Sequence, residues 1–205
     1  MSLYFIHAKL EAIYSTFIFE MKVRLFIGIK PEEKAIQRIA EIQRVLSASE
    51  KYSNVRWIDE NNIHLTLAFL GESESDKIPV LEQTVHSEIK TISPFQMKLT
   101  HVGYFPFSSS PRVVAALTPP SENLKKLHRL VHNSLDSIGI KTGNKPKFHP
   151  HLTIGRLKPR KPLQKINSIP LSISNRVESI TLFQSILNPR GSIYHPLYQM
   201  FLAQK

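Results

Sequence analysis

The chain has 205 residues, 41% hydrophobic and 21% charged, which suits one large domain or two lobes of one body and is too apolar for a disordered polymer. Lysine and arginine number 27 against 16 acidic residues, and the resulting charge of +11 favours anionic partners such as nucleic acid, nucleotides or acidic lipid surfaces. Cysteine is absent, so disulfide frameworks, thiolate metal sites and cysteine nucleophiles are excluded together.

Residues 1–20 place Leu3, Ile6, Leu10, Ile13 and Phe17 at helical spacing, interrupted by His7, Lys9 and Glu11, too polar a pattern for a membrane span. The start also lacks the basic leader and small-residue cleavage site of a secretion signal, so the expected compartment is the cytoplasm, with no membrane attachment. Met21 then opens a fresh pattern, KVRLFIGI, that reads as a buried strand. The expected division is an N-terminal extension over 1–20 and a single bilobal domain over 21–205. The extension reads alternatively as a docking helix or a membrane-surface anchor, and its few basic residues count against the anchor.

A helix is expected from Pro31, with Glu32 and Glu33 at its positive end and Ile36, Ile39, Ala40 and Leu46 on its apolar face. Strands are predicted over 55–58 and 63–70, bracketing an Asn61-Asn62 turn, with Gly71 ending the second. A weaker helical pattern covers 78–89, and strands over 95–105 and 112–118 flank a loop of proline and serine. Ser121 caps a helix whose Leu124, Leu127, Val131, Leu135 and Ile138 share one face, and Gly139 terminates it. Strands over 151–157 and 177–187 and a tail over 198–202 complete the reading. No linker separates the halves, which are expected to pack as one body.

One tetrapeptide occurs twice: His64-Leu65-Thr66-Leu67 and His151-Leu152-Thr153-Ile154. Each lies in a strand pattern, so His64 and Thr66 share a face, as do His151 and Thr153, while the intervening residue points to the core. A single His-x-Thr in a strand is ordinarily structural; two matched copies, one in each half, point to a shared site. Two such pairs facing one cleft suit the opening of a strained cyclic phosphodiester. A neutral imidazole takes a proton from water, a charged one gives a proton to the leaving oxygen, and the threonine hydroxyls hold the phosphate oxygens. That scheme requires neither metal nor cofactor.

These motifs, with the Arg-Leu-Phe-Ile strand after Met21, Val55-Arg56-Trp57, Phe69-Leu70-Gly71, and Pro150-His151-Leu152-Thr153 followed by Arg156, resemble the two-histidine (2H) phosphoesterases. Within that superfamily the chain is most similar to RNA 2′,3′-cyclic phosphodiesterases, long called 2′-5′ RNA ligases. The resemblance runs from Met21 to the C-terminus. It implies an α+β fold of two pseudo-twofold-related antiparallel sheets backed by helices around a central cleft. It also implies hydrolysis of an RNA terminal 2′,3′-cyclic phosphate to a 2′-phosphate, with tRNA fragments among the candidate partners and a monomeric assembly. On that resemblance His64 is the general acid, His151 the general base, and Thr66, Thr153 and Arg156 bind substrate. Two departures are Gly28, where the family usually carries alanine, and His149, where arginine is more usual.

Strict alternation sets Arg156 opposite His151 unless Gly155 marks a bulge that re-aims it. Every charged residue from 141 to 165 is basic, which reads either as an RNA-backbone surface or as a solvated loop. His149 with His151, and His128 with His132, have spacings found among zinc ligands, but neither pair carries a full ligand set, so no metal is expected. The rival expectations are 2′-5′ ligation, hydrolysis of a cyclic phosphate on a small nucleotide, and a non-catalytic module that binds RNA ends or nucleotides.

Overall fold

A computed structural model describes residues 22–106, 110–142, 148–158, 168–189 and 191–204. The extension expected over 1–20 and most of the lysines and arginines between 143 and 167 lie outside the described residues. In chain order the elements are β1 (Lys22–Ile29), α1 (Glu33–Ser47), β2 (Val55–Trp57), β3 (Leu65–Glu74), α2 (Ile78–Ile89), β4 (Phe95–Phe105) and β5 (Val113–Leu117), followed by α3 (Glu122–Ser137), β6 (His151–Leu157), β7 (Ile169–Val177), β8 (Ser179–Asn188) and β9 (Gly191–Phe201).

The described strands form a sheet in the order β7-β4-β5-β6-β3-β1-β8-β9, with β2 on the free side of β6. All pairings are antiparallel. Four strands lie on each side of the β6–β3 seam, and the seam itself is held by a single ladder pair, Leu65 opposite Leu152. These two leucines are the second residues of the two repeated motifs, and both are fully buried. The two expected sheets therefore meet at the motifs, and a pseudo-twofold axis passing between Leu65 and Leu152 exchanges them.

The core is built where the apolar patterns foretold it. Leu25, Ile27 and Ile29 of β1, Ile36 and Ile39 of α1, and Leu124, Leu127, Val131 and Leu135 of α3 are all buried, each contributing on the order of 1.5–3 kcal/mol of transfer free energy. Helix α2 packs on α3, and α3 on β3, while α1 lies against β2 and β7. Ser121 accepts a hydrogen bond from the Leu124 amide at 3.4 Å, and α3 ends with Gly139 at φ +76° and a bond from the Ile140 amide to the Leu135 carbonyl, a Schellman closure.

Several expectations change. Glu32 is the N-cap of α1 but does not cap it through its side chain; its amide donates to Asn175 and its carboxylate accepts from the Arg176 amide, both at 2.7 Å, tying the helix start to β7. Gly71 does not end β3. The strand runs on to Glu74, and the left-handed backbone at Gly71 (φ +70°) accompanies a bulge at Leu70, where the ladder to β1 skips a residue. Strand β7 escaped the sequence reading because Pro170 and alternating serines weaken its apolar signal; it is held by long pairing to β4.

Candidate active site

The seam between β3 and β6 opens into a cleft of about 710 Å³. His64, Thr66, His151, Thr153 and Arg156 all line it, so the five residues singled out in two distant segments are brought together. Arg24, Arg56, Phe69 and Tyr194 line it too, and the sequence reading assigned none of these to the site.

Both imidazoles are held alike. The Nδ1 of His64 lies 2.7 Å from the carbonyl oxygen of Asn62, and the Nδ1 of His151 lies 2.8 Å from that of His149. A carbonyl only accepts, so in each ring Nδ1 carries the proton and Nε2 is left for the cleft. Aromatic rings fix the orientations further. Phe26 lies 4.7 Å from the His64 ring and Tyr194 meets it edge-on at 5.0 Å, while Phe105 stacks on His151 at 3.9 Å. Asn62 is in turn anchored through its side-chain amide to the Ser192 carbonyl at the start of β9.

Burial pushes the His64 pKa down to about 4; the Asn62 carbonyl opposes the shift, and charge on His151 and Arg156 adds to it. His151 is also pushed below its ordinary value by burial, opposed by the His149 carbonyl and assisted by charge on the His149 ring. In the unliganded protein at neutral pH both rings are therefore neutral, and a bound anion would recover the charge that burial removes. Among the described residues the Thr66 and Thr153 hydroxyls have no hydrogen-bond partner, which leaves both as donors to a ligand.

A bulge follows each threonine. Gly28 pairs with Thr66 and Ile27 with Ala68, so the ladder skips Leu67; Ala115 pairs with Thr153 and Val114 with Gly155, so it skips Ile154. In each strand two consecutive buried residues result, Leu67-Ala68 and Ile154-Gly155, and the face that looks into the cleft changes parity. Arg156 is thereby turned into the cleft beside Thr153, and Phe69, the matching residue of the first copy, is turned in beside Thr66 with 68% of its surface exposed. Aligning the two copies three residues past each threonine is the signal that would have found Phe69. The bulge itself is centred on Ile154, one residue before the glycine expected to mark it. Gly155 is needed for packing: a Cβ there would stand 2.4 Å from Val55 and 3.3 Å from the Trp57 ring.

Charge reaches the cleft from three strands, and one of its carriers, Arg156, belongs to the basic stretch over 141–165. Arg24 on β1, Arg56 on β2 and Arg156 on β6 converge there, and among the described residues Asp59 is the one acidic group in the lining. Of the basic stretch, Lys141 and Lys158 are exposed, and Lys158 donates to the Ser53 carbonyl. At Gly28 a Cβ would lie 2.9 Å from the Leu65 carbonyl oxygen and 3.5 Å from the His64 ring; this glycine thus lets β1 approach the motif strand closely. Among the described residues no group of three or more His, Asp or Glu side chains is placed to hold a metal ion. His128 and His132 do lie ring to ring at 4.3 Å, but both nitrogens of His132 are within hydrogen-bond reach of Thr142 and the Leu67 carbonyl. No described helix is long and apolar enough to cross a membrane.

The arrangement can pass a proton in at one Nε2 and out at the other while the Thr66 and Thr153 hydroxyls and the arginines that line the cleft hold an anion between them. Known proteins are similar to this chain along nearly the whole described body. An RNA 2′,3′-cyclic phosphodiesterase of Thermotoga maritima is 31% identical over 86% of this chain and 94% of its own, and one of Archaeoglobus fulgidus is 32% identical over 85% and 98%. Among solved structures, Escherichia coli LigT complexed with 3′-AMP superposes with a TM-score of 0.74 at 26% identity, covering 90% of this chain and all of that one. A Thermus thermophilus structure reaches 0.76, also at 26% identity, over 87% and 97%. The profile of the 2′-5′ RNA ligase superfamily matches residues 25–185, and with that span and these relatives the chain belongs to the 2′-5′ RNA ligase superfamily.

Proposed function

We propose that this protein hydrolyses the 2′,3′-cyclic phosphodiester at an RNA end to a 2′-phosphomonoester. The observation that carries the reading is the matched pair of imidazoles, each fixed through Nδ1 to a backbone carbonyl two residues earlier, with its Nε2 free for one shared cleft. The relatives named RNA 2′,3′-cyclic phosphodiesterase support the substrate class. In the forward step a water oxygen bonds to phosphorus as His151 Nε2 takes its proton. The bond from phosphorus to the 3′ oxygen breaks, and that oxygen takes the proton from His64 Nε2. The phosphate remains on the 2′ oxygen as a monoester that keeps the second proton of the water, and it gains its second negative charge when that proton is lost to solvent. Thr66 and Thr153 donate to the non-bridging oxygens as charge builds there, and Arg156 pairs with the phosphate or stacks on a base.

The test is incubation, with chelator present, of the protein and an RNA ending in 2′,3′-cyclic phosphate, followed by mapping of the product at 2′ or 3′. Turnover to the 2′-phosphate by wild type, lost by at least about 10²-fold in His64→Ala and in His151→Ala, is expected. No product from wild type, or undiminished product from both variants, would refute the reading. Joining of a cyclic-phosphate end to a second RNA in place of hydrolysis would assign the cleft to ligation instead.

A further inference from the structure

We propose that Gln43 and His132 are positioning residues that hold the two post-threonine bulges, each helix serving the motif carried by the other half of the chain. The inference rests on the reaction just assigned to the cleft, and concerns groups that never touch its substrate.

The residue skipped by the ladder in each bulge is the fourth of its motif, Leu67 in one and Ile154 in the other. Its carbonyl receives a hydrogen bond from a polar side chain that is itself buried on a helix. His132 of α3, 7% exposed, meets the Leu67 carbonyl through Nε2 at 3.2 Å. Gln43 of α1, also 7% exposed, meets the Ile154 carbonyl through Nε2 at 2.8 Å and the Ile58 carbonyl at 2.9 Å. Both amide hydrogens of Gln43 are thus used, and Ile154 is held a second time by the Ile58 amide at 3.0 Å. Because a carbonyl can only accept, His132 carries its proton on Nε2, and its Nδ1 accepts from the Thr142 hydroxyl at 2.8 Å.

Two unlike residues on two different helices therefore perform the same task at pseudo-twofold-related points. The task matters because the bulge sets which way the strand faces on either side of it. Thr66 and His64 precede the first bulge and Phe69 follows it; Thr153 and His151 precede the second and Arg156 follows it. A skipped residue has no ladder partner on the strand that pairs its neighbours, so its carbonyl is fixed by other donors, the helix side chain in both copies and the Ile58 amide besides in the second. The crossing over is equally specific: α1, in the first half of the chain, pins the second motif, and α3, in the second half, pins the first.

The experiment is a set of double-mutant cycles on cyclic-phosphate hydrolysis, together with threonine-methyl NMR of the free protein. His132→Leu and Gln43→Met, which remove the donors at similar volume, are each expected to lower kcat by about 10- to 100-fold with KM changed by less than about threefold, the signature of small misplacement of reacting groups. His132→Gln, which can still place an amide donor at the Leu67 carbonyl, is expected to restore most of kcat. His132→Leu should combine with Thr66→Ala in a less than multiplicative way but multiply independently with Thr153→Ala; Gln43→Met should show the reverse pattern. In the NMR arm His132→Leu shifts the Thr66 methyl and Gln43→Met the Thr153 methyl. Thr142→Val, at a half-buried site, replaces His132→Leu if the latter does not fold. Equal coupling of either helix variant to both threonines, or a fall in Tm with kcat and both methyls unchanged, would overturn the proposal. If wild type turns over no cyclic phosphate, the assigned reaction fails and the methyl pattern alone decides whether the two pins exist.

Discussion

An anion entering the cleft is expected to charge His64, and the size of that effect follows from its surroundings. Burial, helped by charge on His151 and Arg156 and opposed by the Asn62 carbonyl, holds the free imidazole at about 4, so at pH 7 only about one molecule in a thousand carries the proton that the acid role demands. A phosphate oxygen about 4 Å from the ring, at an effective dielectric of about 20, attracts the imidazolium by about 4 kcal/mol, which raises its pKa by about 3 and brings it into the neutral range. His151, less buried than His64, gains less because water screens it, and it stays available as the base. Since kcat/KM reports groups in the free enzyme and kcat those in the complex, the two pH profiles must separate. The kcat/KM bell is expected to have its acid limb near pH 4 and its alkaline limb below 6.5, and the kcat optimum is expected to lie higher by up to about three pH units. The same shift is visible by NMR: the Cε1 proton of His64, assigned by its absence in His64→Ala, titrates at higher pH when the 2′-phosphate product is bound. Coincident kcat and kcat/KM profiles, with a His64 titration unmoved by product, would refute this reasoning.

Three further outcomes are expected. Because the folded pKa of His64 is depressed, the unfolded chain binds its proton first. The stability that neutral His64 contributes is complete above pH 6.5 and lost as pH falls to about 4, about 3 kcal/mol in all. Urea unfolding at pH 7 and pH 4 should show His64→Gln losing that much less than wild type; an equal loss in both would count against a buried neutral ring. Gly155→Ala must push Val55 and Trp57 aside, and a cost of about 1–3 kcal/mol in urea unfolding is expected; an unchanged midpoint would show that the β2–β6 contact is loose. Arg156→Ala should raise KM and reduce the slope of log(kcat/KM) against log salt by about 1, as loss of one phosphate contact does, whereas Phe69→Ala should raise KM with the slope unchanged. Equal salt slopes in Arg156→Ala and wild type would remove Arg156 from the phosphate.

Much of the site was legible because its chemistry is carried by repetition. The duplicated His-Leu-Thr-hydrophobic strand states which side chains share a face, since a period of two is a local property of extended backbone. The apolar faces of α1 and α3, and the serine and glycine that bound α3, were legible for the same reason: capping and amphipathic spacing act within one or two turns. The expectation failed where a long-range ladder overrode local pattern. Gly71 reads as a terminator, but β1 continues to pair beyond it and the glycine becomes part of a bulge; β7 carries no clear strand pattern, but β4 supplies it with partners.

Residue identity and order alone singled out two imidazoles and two hydroxyls, in a chain without a thiol, as the groups proposed for catalysis. Only the tertiary structure decided how they meet. The seam joins at Leu65 and Leu152, the bulges after Thr66 and Thr153 bring Phe69 and Arg156 round to the same cleft, and Arg24 and Arg56 arrive from strands with no motif of their own. A bulge is a miscount between two strands, and a register exists only once both strands are paired. No single segment contains the information that creates it.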